Sequence, residues 1–286
     1  MIVTALCATI ICRGEDSWSF RMFRPLCQNW LPRLLKLLRL TRNEPVPLNV
    51  GILIIGSLLW DFEDNRPAWR DARLDIASAE AVTAPIRYGR LSGKKRGHTY
   101  TMVFSRLCQI GQGKVVRCSH TVSSAADLIA EAKHLWKAEE PDAAAGRIAA
   151  NWGCVALLCN PARNIPEDIL TSWAERVANE PGYGNVSQTH EEGRLVSDDG
   201  VLRIDWPRLV ESGAPVSLDL LLVAANDPRI TVTTPAYPGV ETIANAWNAA
   251  ASKHAEYFWK NLDNGIRTFQ DDEIRARLRP RGQEPR

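Results

Sequence analysis

The pattern of apolar and polar residues from residue 50 onward predicts a chain rich in strands early and in helices late. Continuous or alternating apolar runs predict strands at residues 50–55, 81–87, 100–104, 115–118, 152–159 and 218–225. Apolar residues three and four positions apart predict helices at residues 124–140, 166–177, 240–261 and 271–278. This distribution is typical of the α+β class with a strand-rich core.

The first 49 residues have a different pattern. They carry seven Arg and Lys against three acidic residues, and leucines interleave with basic residues at positions 33–42. Such a basic amphipathic stretch is typical of a helix that binds a membrane surface or a partner. Pro32, Pro45 and Pro47 cut the segment short, which favours an extension that the fold does not need. We therefore predict a basic N-terminal extension at residues 1–49 and one domain at residues 50–286.

Composition places the chain among ordinary folded proteins and excludes several partner classes. Apolar residues make up 45% and charged residues 24%, and the net charge of +2 does not indicate nucleic-acid binding. The longest apolar run in the body, residues 51–60, is about half the length that crosses a bilayer, so no integral membrane association is expected. Seven cysteines without a C-x-x-C pair and five scattered histidines predict a reducing cytoplasm and no metal site. The oligomeric state stays open.

Two turns contain residues that suit anion binding. The sequence Gly56-Ser57-Leu58 directly follows the predicted strand at residues 50–55, where backbone N–H groups at a strand end can bind a carboxylate. The basic turn at residues 92–97 contains Ser92 and Arg96. Taken alone, each turn is more typical of an ordinary surface loop.

A third segment offers candidates for a general base. The apolar residues of the predicted helix at residues 166–177 share one face, and Glu180 returns to that face if the helix continues to it. Glu175 points to the opposite side. A carboxylate buried on an apolar face is suited to proton transfer. If the helix ends near Ala178, Glu180 is an ordinary loop acid, and both interpretations stay open.

Together these segments resemble the γ-glutamylcyclotransferase superfamily, and most closely its glutathione-degrading ChaC branch. The resemblance runs in order over about residues 50–265. It rests on Gly56, Ser57, Leu58 and Trp60 in the signature, on Arg87, Tyr88, Ser92, Arg96 and Gly97 in the next segment, on Trp152-Gly153 at a strand start, and on Glu256-Tyr257-Phe258 in a late helix. In the family, the strand that opens with glycine leads to a helix ending in the catalytic glutamate, followed by Gly-Tyr. Ile55 stands where the signature has an aromatic residue.

The resemblance implies a small mixed β-barrel with surrounding helices and an active site at the barrel mouth. It implies that the free α-amine of a γ-glutamyl compound, such as glutathione, attacks its own γ-carbonyl and releases 5-oxoproline. One general base moves a proton from the α-ammonium to the leaving nitrogen. The expected partner is thus a small γ-glutamyl substrate, and the reaction consumes no water and needs no cofactor. The alternative is a catalytically inactive binding or regulatory module on the same fold.

The resemblance also assigns roles to individual residues. Glu180 or Glu175 is the base, since the register leaves both positions open. The substrate-binding residues are Gly56, Ser57, Leu58, Arg87, Ser92 and Arg96. Among them, the Gly56-Ser57-Leu58 backbone would supply donors to the developing oxyanion, and Arg87 or Arg96 would pair with a substrate carboxylate.

Overall fold

A mixed six-stranded sheet forms the core of the computed structural model, which describes residues 47–183, 188–189, 193–226, 228 and 237–283. Its strands, in spatial order, are β2 (Leu74–Ala84), β5 (Gly111–Cys118), β1 (Val50–Ile54), β10 (Leu220–Asn226), β7 (Gly153–Cys159) and β6 (Ala149–Ala150). β1 and β10 run parallel, and the other neighbouring pairs are antiparallel. Two separate hairpins pair β3 (Ile86–Leu91) with β4 (Tyr100–Phe104) and β8 (Gln188–Thr189) with β9 (Gly193–Arg194).

Six helices accompany the sheet in the described part of the chain. They are α1 (Arg66–Arg73), α2 (Ala125–Glu139), α3 (Glu167–Ala178), α4 (Val240–Ala249), α5 (Ser252–Asp263) and α6 (Asp271–Arg275). Ser124 caps α2, because its side chain accepts the backbone N–H of Asp127 at 3.2 Å. None of these helices is long and apolar enough to cross a bilayer. The predicted α+β class is confirmed.

The hydrogen-bonded sheet runs from β2 to β6, and no closed barrel is found among the residues described. Two predicted elements differ in the structure. The strand predicted at residues 81–87 is divided at Pro85 into β2 and β3, because proline has no N–H to donate to a ladder. The helix predicted at residues 240–261 is two helices, since Ala250 and Ala251 both adopt extended backbone angles.

The predicted basic extension at residues 1–49 lies outside the described residues except for its last three. Leu48 is buried and pairs with Val122, so the compact unit begins at Pro47.

One end of the central strands brings together segments that are far apart in sequence. Val50 pairs with Leu220 in the parallel pair, so the carboxyl ends of β1 and β10 meet at this end of the sheet. β7 runs antiparallel to β10, and its first residue, Gly153, therefore lies opposite Asn226 at the same end. The residues that follow β1 are thus brought beside Asn226 and beside the start of β7.

A buried carboxylate near the C-terminus makes stability depend on pH. Asp271 accepts hydrogen bonds from the Thr268 N–H at 3.0 Å and the Thr268 hydroxyl at 2.5 Å, but burial raises its pKa to about 6. The folded-state pKa lies above the unfolded value of about 3.9, so the protonated form of Asp271 stabilises the fold. This contribution to the free energy of unfolding is fully present below about pH 3.9 and is lost as pH rises through 6. We expect the free energy of unfolding to fall by about 1–3 kcal/mol between pH 4 and pH 7 from this group.

Urea unfolding at pH 4, 5, 6 and 7 measures this effect. Asp271→Asn keeps an oxygen for the Thr268 N–H but does not titrate, so the variant should gain stability relative to the parent as pH rises. An unchanged difference between the two proteins at all four pH values would show that Asp271 does not titrate in this range.

Candidate functional site

Two adjoining cavities open at the end of the sheet where β1 ends. The inner cavity is narrow, with a volume of about 40 Å³, and its walls include Gly56, Ser57, Leu58, Arg90, Glu139, Asn226 and Tyr257. The outer cavity has a volume of about 230 Å³ and is lined also by Lys253 and Lys260. Ser57, Arg96, Thr101 and Tyr257 line both cavities, which therefore form one continuous cleft.

Residues 56–60 form a tight turn, which we call the donor turn. Its backbone closes through hydrogen bonds from Leu59 N–H to the Gly56 carbonyl and from Trp60 N–H to the Ser57 carbonyl, both at 3.2 Å. The N–H groups of Ser57 and Leu58 find no acceptor within the described residues. Free N–H groups at the head of such a turn bind an anion or a developing oxyanion.

Tyr257 explains why the donor turn begins with glycine. A Cβ atom on Gly56 would lie 2.7 Å from the Tyr257 hydroxyl oxygen, which is too close for van der Waals contact, so the two atoms would clash. Tyr257 stacks on Trp247 with ring centroids 5.6 Å apart and meets Trp60 edge-on at 5.6 Å. The absence of a side chain at Gly56 therefore lets the phenol approach the turn and close one wall of the inner cavity.

Two arginines of α1 support the donor turn. Arg66 is completely buried and donates from Nη1 to Ser57 Oγ at 2.9 Å and to Asp61 Oδ2 at 2.5 Å. Arg70 donates to the carbonyl oxygens of Leu58 at 2.8 Å and of Asp61 at 2.7 Å. These charge-assisted hydrogen bonds fix the turn, while its free N–H groups remain available to a ligand.

Glu139, the last residue of α2, lines the inner cavity. Its side chain is 13% exposed, and its Oε2 lies 3.7 Å from Nη2 of Arg66. Burial raises the pKa of Tyr257, and the nearby Glu139 carboxylate adds to that rise. The Arg66 guanidinium offsets the unfavourable position of this carboxylate at the C-terminal end of a helix. Glu139 is a candidate general base that the sequence analysis did not name.

A pattern visible in the sequence would have found Glu139. Leu135 and Trp136 both lie on the buried face of the correctly predicted helix. Glu139 follows them by four and three residues, so the helical period places it on the same face.

Asn226 and Arg90 add polar groups to the lining of the inner cavity. The Oδ1 atom of Asn226 is buried and has no hydrogen-bond partner in the part of the chain described. Arg90 lies with its guanidinium carbon 4.5 Å from the ring centre of Trp152, and the Trp152 indole N–H donates to Glu140 at 3.2 Å. An unpartnered buried acceptor beside arginines suits a ligand with both amine and carboxylate groups.

The structure brings together only some of the predicted substrate-binding residues. Gly56, Ser57, Leu58 and Arg96 line the inner cavity. Ser92 is buried and bonds the Arg96 carbonyl oxygen at 3.3 Å, so it shapes the basic turn. Arg87 lies elsewhere, with its guanidinium carbon 4.1 Å from the ring centre of Tyr237 and 5.7 Å from that of Phe269.

The two predicted base candidates do not line the cleft. Helix α3 ends at Ala178, and Glu180 beyond it is buried in an ion-pair cluster with Arg147 and Arg176. The Ile148 N–H also donates to this carboxylate at 3.2 Å. Glu175 is exposed to solvent. Glu180 therefore acts as a structural anion between β6 and α3.

A metal-binding cluster of three or more His, Cys, Asp or Glu side chains is not found among the residues that the structure describes. No protein-family model matches the chain, and neither does any curated protein or solved structure. The residues of the cleft therefore carry the functional assignment.

Proposed function

We propose that the protein is a γ-glutamylcyclotransferase-like enzyme that releases 5-oxoproline from a γ-glutamyl compound such as glutathione, with Glu139 as its general base. One observation carries this proposal. Ser57 and Leu58, whose backbone N–H groups have no acceptor among the described residues, line the same cavity as Glu139. An intramolecular aminolysis needs these two elements, a proton carrier and donors for the oxyanion.

The residues of the cleft have distinct roles in this reaction. Glu139 takes a proton from the substrate α-ammonium, and the freed amine attacks the γ-carbonyl carbon to close the five-membered ring. The N–H groups of the donor turn stabilise the oxyanion. Glu139 then returns the proton to the leaving nitrogen as the amide bond breaks. The second proton of the ring nitrogen passes by way of Glu139 to the released amine, so that 5-oxoproline carries one lactam N–H and the amine leaves as an ammonium ion. Arg90 and Arg96 supply positive charge for the substrate carboxylates.

The position of Glu139 at the end of a helix supports its proposed role as the base. In the ChaC-like pattern a strand that opens with glycine is followed by a helix that ends in the catalytic glutamate, and β5 opens with Gly111 while α2, the next helix, ends at Glu139. The aromatic residue before the glycine and the Gly-Tyr after the glutamate lie instead at Trp152 and at Gly182-Tyr183, around β7 and α3. The choice of Glu139 therefore rests on its place in the cleft and not on the family register.

The family's small mixed barrel belongs to the same proposal. The strands that would build it are those of the six-stranded sheet together with the β3–β4 hairpin. β4 contacts β10 and β3 contacts β5, so the hairpin packs beside the central strands. We propose a cytoplasmic location on the cysteine usage of the chain.

The alternative is a module on the same fold that binds a γ-glutamyl ligand without turning it over. Ile55 favours it, because the ring that the ChaC signature places before the turn is replaced by an aliphatic side chain. This loss would affect the fit of the substrate while leaving the free donors of the turn in place.

An assay of 5-oxoproline release from glutathione and a panel of γ-glutamyl dipeptides tests the proposal. The matched control is the same panel with an acetylated α-amine, because the blocked nitrogen cannot attack the γ-carbonyl. We expect release only from substrates with a free α-amine. Calorimetric binding without release would support the binding module, and a folded sample that neither binds nor reacts would contradict both functions.

A further inference from the structure

We infer that Arg66 is a positioning residue that fixes the donor turn and the end of α2 in one geometry, so that the base meets the bound substrate correctly. The inference rests on the proposed function, because it concerns the same cleft. Arg66 comes from α1, which no sequence pattern predicted.

The contacts of Arg66 reach both sides of the reaction centre. Nη1 donates to Ser57 Oγ at 2.9 Å, and Nε donates to the carbonyl oxygen of Ala138 at 3.2 Å. Ala138 immediately precedes Glu139, and the last carbonyl groups of a helix have no partner within it. One rigid, planar guanidinium group therefore joins the anion-binding turn to the backbone that carries the base.

The remaining nitrogen of Arg66 is poised near the base itself. Nη2 is buried and forms no hydrogen bond within the described residues, and Glu139 Oε2 lies 3.7 Å from it. A buried donor without a partner is costly, and hydrogen bonds in unliganded sites commonly tighten when the substrate binds. We expect the Nη2 to Glu139 contact to shorten in the complex and to hold the carboxylate towards the substrate amine.

The burial of Arg66 is energetically costly, so packing alone does not explain why an arginine occupies this position. The residue is 0% exposed, and desolvation of a buried cation costs several kcal/mol even when a partner such as Asp61 is present. Apolar residues of similar volume often replace buried ion pairs without loss of stability. The directional contacts to Ser57, Ala138 and Glu139 give a reason for a guanidinium at this position.

The kinetic test compares Arg66→Met with Arg73→Met. Arg73 lies on the same helix and also joins α1 to α2, through its ion pair with Glu131, but it contacts neither the donor turn nor Glu139. We expect Arg66→Met to lower kcat about a hundredfold with a smaller change in KM, as for a misplacement of about 1 Å. Arg73→Met should keep kcat within a factor of about three despite its lost ion pair.

Arg66→Lys is the control for a general loss of folding in Arg66→Met. A lysine can reach the turn or the end of α2 but cannot bind both as a planar fork, so we expect kcat between those of the parent and of Arg66→Met. Equal losses of kcat in Arg66→Met and Arg73→Met would overturn the inference.

A second measurement does not depend on turnover. The shift in urea midpoint caused by Glu139→Gln is measured in the parent, in Arg66→Met and in Arg73→Met. We expect a smaller shift in Arg66→Met than in the other two, since coupled residues are not additive. Identical shifts in all three backgrounds would overturn the link between Arg66 and Glu139, whereas a parent without turnover would overturn the proposed function alone.

Discussion

Replacement of Glu139 by glutamine is expected to lower kcat for 5-oxoproline release at least about a thousandfold, within the range for loss of a general base. Glutamine keeps the size and polarity of the side chain but cannot accept the proton from the substrate α-ammonium. The cavity, the donor turn and its arginines stay intact, so substrate binding measured by calorimetry should change little. A loss confined to kcat would show that the carboxylate acts in the chemical step.

The matched controls are Glu175→Gln and Glu180→Gln. Each removes one carboxylate from the chain, but neither residue lines the cleft. We expect both to keep a kcat close to that of the parent when the sample is folded. If Glu139→Gln retained more than a tenth of the parent's kcat, Glu139 would not be the base. If Glu180→Gln alone abolished release, Glu180 would be the base.

The donor turn shows what the sequence predicts well. A buried apolar strand followed by Gly56-Ser57-Leu58 is a local pattern, and the structure has a strand, a tight turn and free N–H groups at that place. Helix α2 was equally clear, because its apolar period and its Ser124 cap are both local signals. Features that depend on a few adjacent residues were therefore predictable.

Helix α1 and its arginines show what the sequence does not predict. Trp69 is buried on α1, but the other buried residues of this helix are Arg66 and Arg70. Charged residues at such positions predict a helix face exposed to solvent. Their partners become visible only when the donor turn and α2 are folded against the helix. Arg87 gives the converse case, since it matched the family segment by register but packs between Tyr237 and Phe269.

The pairing of β1 with β10 sets the site and could not be derived from the sequence. Val50 and Leu220 are neighbours in the sheet but lie in opposite halves of the chain. No local pattern states which strands pair over such a distance, because many pairings bury the same apolar runs. Asn226 is therefore not recognisable from the sequence as a cavity residue, although it directly follows the strand predicted at residues 218–225 and ends β10.

Glu180→Gln is expected to lower the free energy of unfolding by about 2–3 kcal/mol, even though it leaves catalysis in place. The Glu180 carboxylate accepts hydrogen bonds from Arg147, Arg176 and the Ile148 N–H, and its side chain is 1% exposed. Glutamine offers one oxygen and turns an NH₂ group towards a guanidinium donor. The estimate lies below the 3–5 kcal/mol of a fully buried pair, because Arg147 is 31% and Arg176 20% exposed.

Urea unfolding at neutral pH measures this loss, with Glu175→Gln as the control on the same part of the chain. Glu175 is exposed on α3, so its replacement should change the unfolding free energy by less than about 0.5 kcal/mol. Equal midpoints for both variants would contradict a structural role for the Glu180 cluster. A large loss for Glu180→Gln with normal turnover would separate the two glutamates by function, since Glu180 would hold the fold together while Glu139 carries the proton.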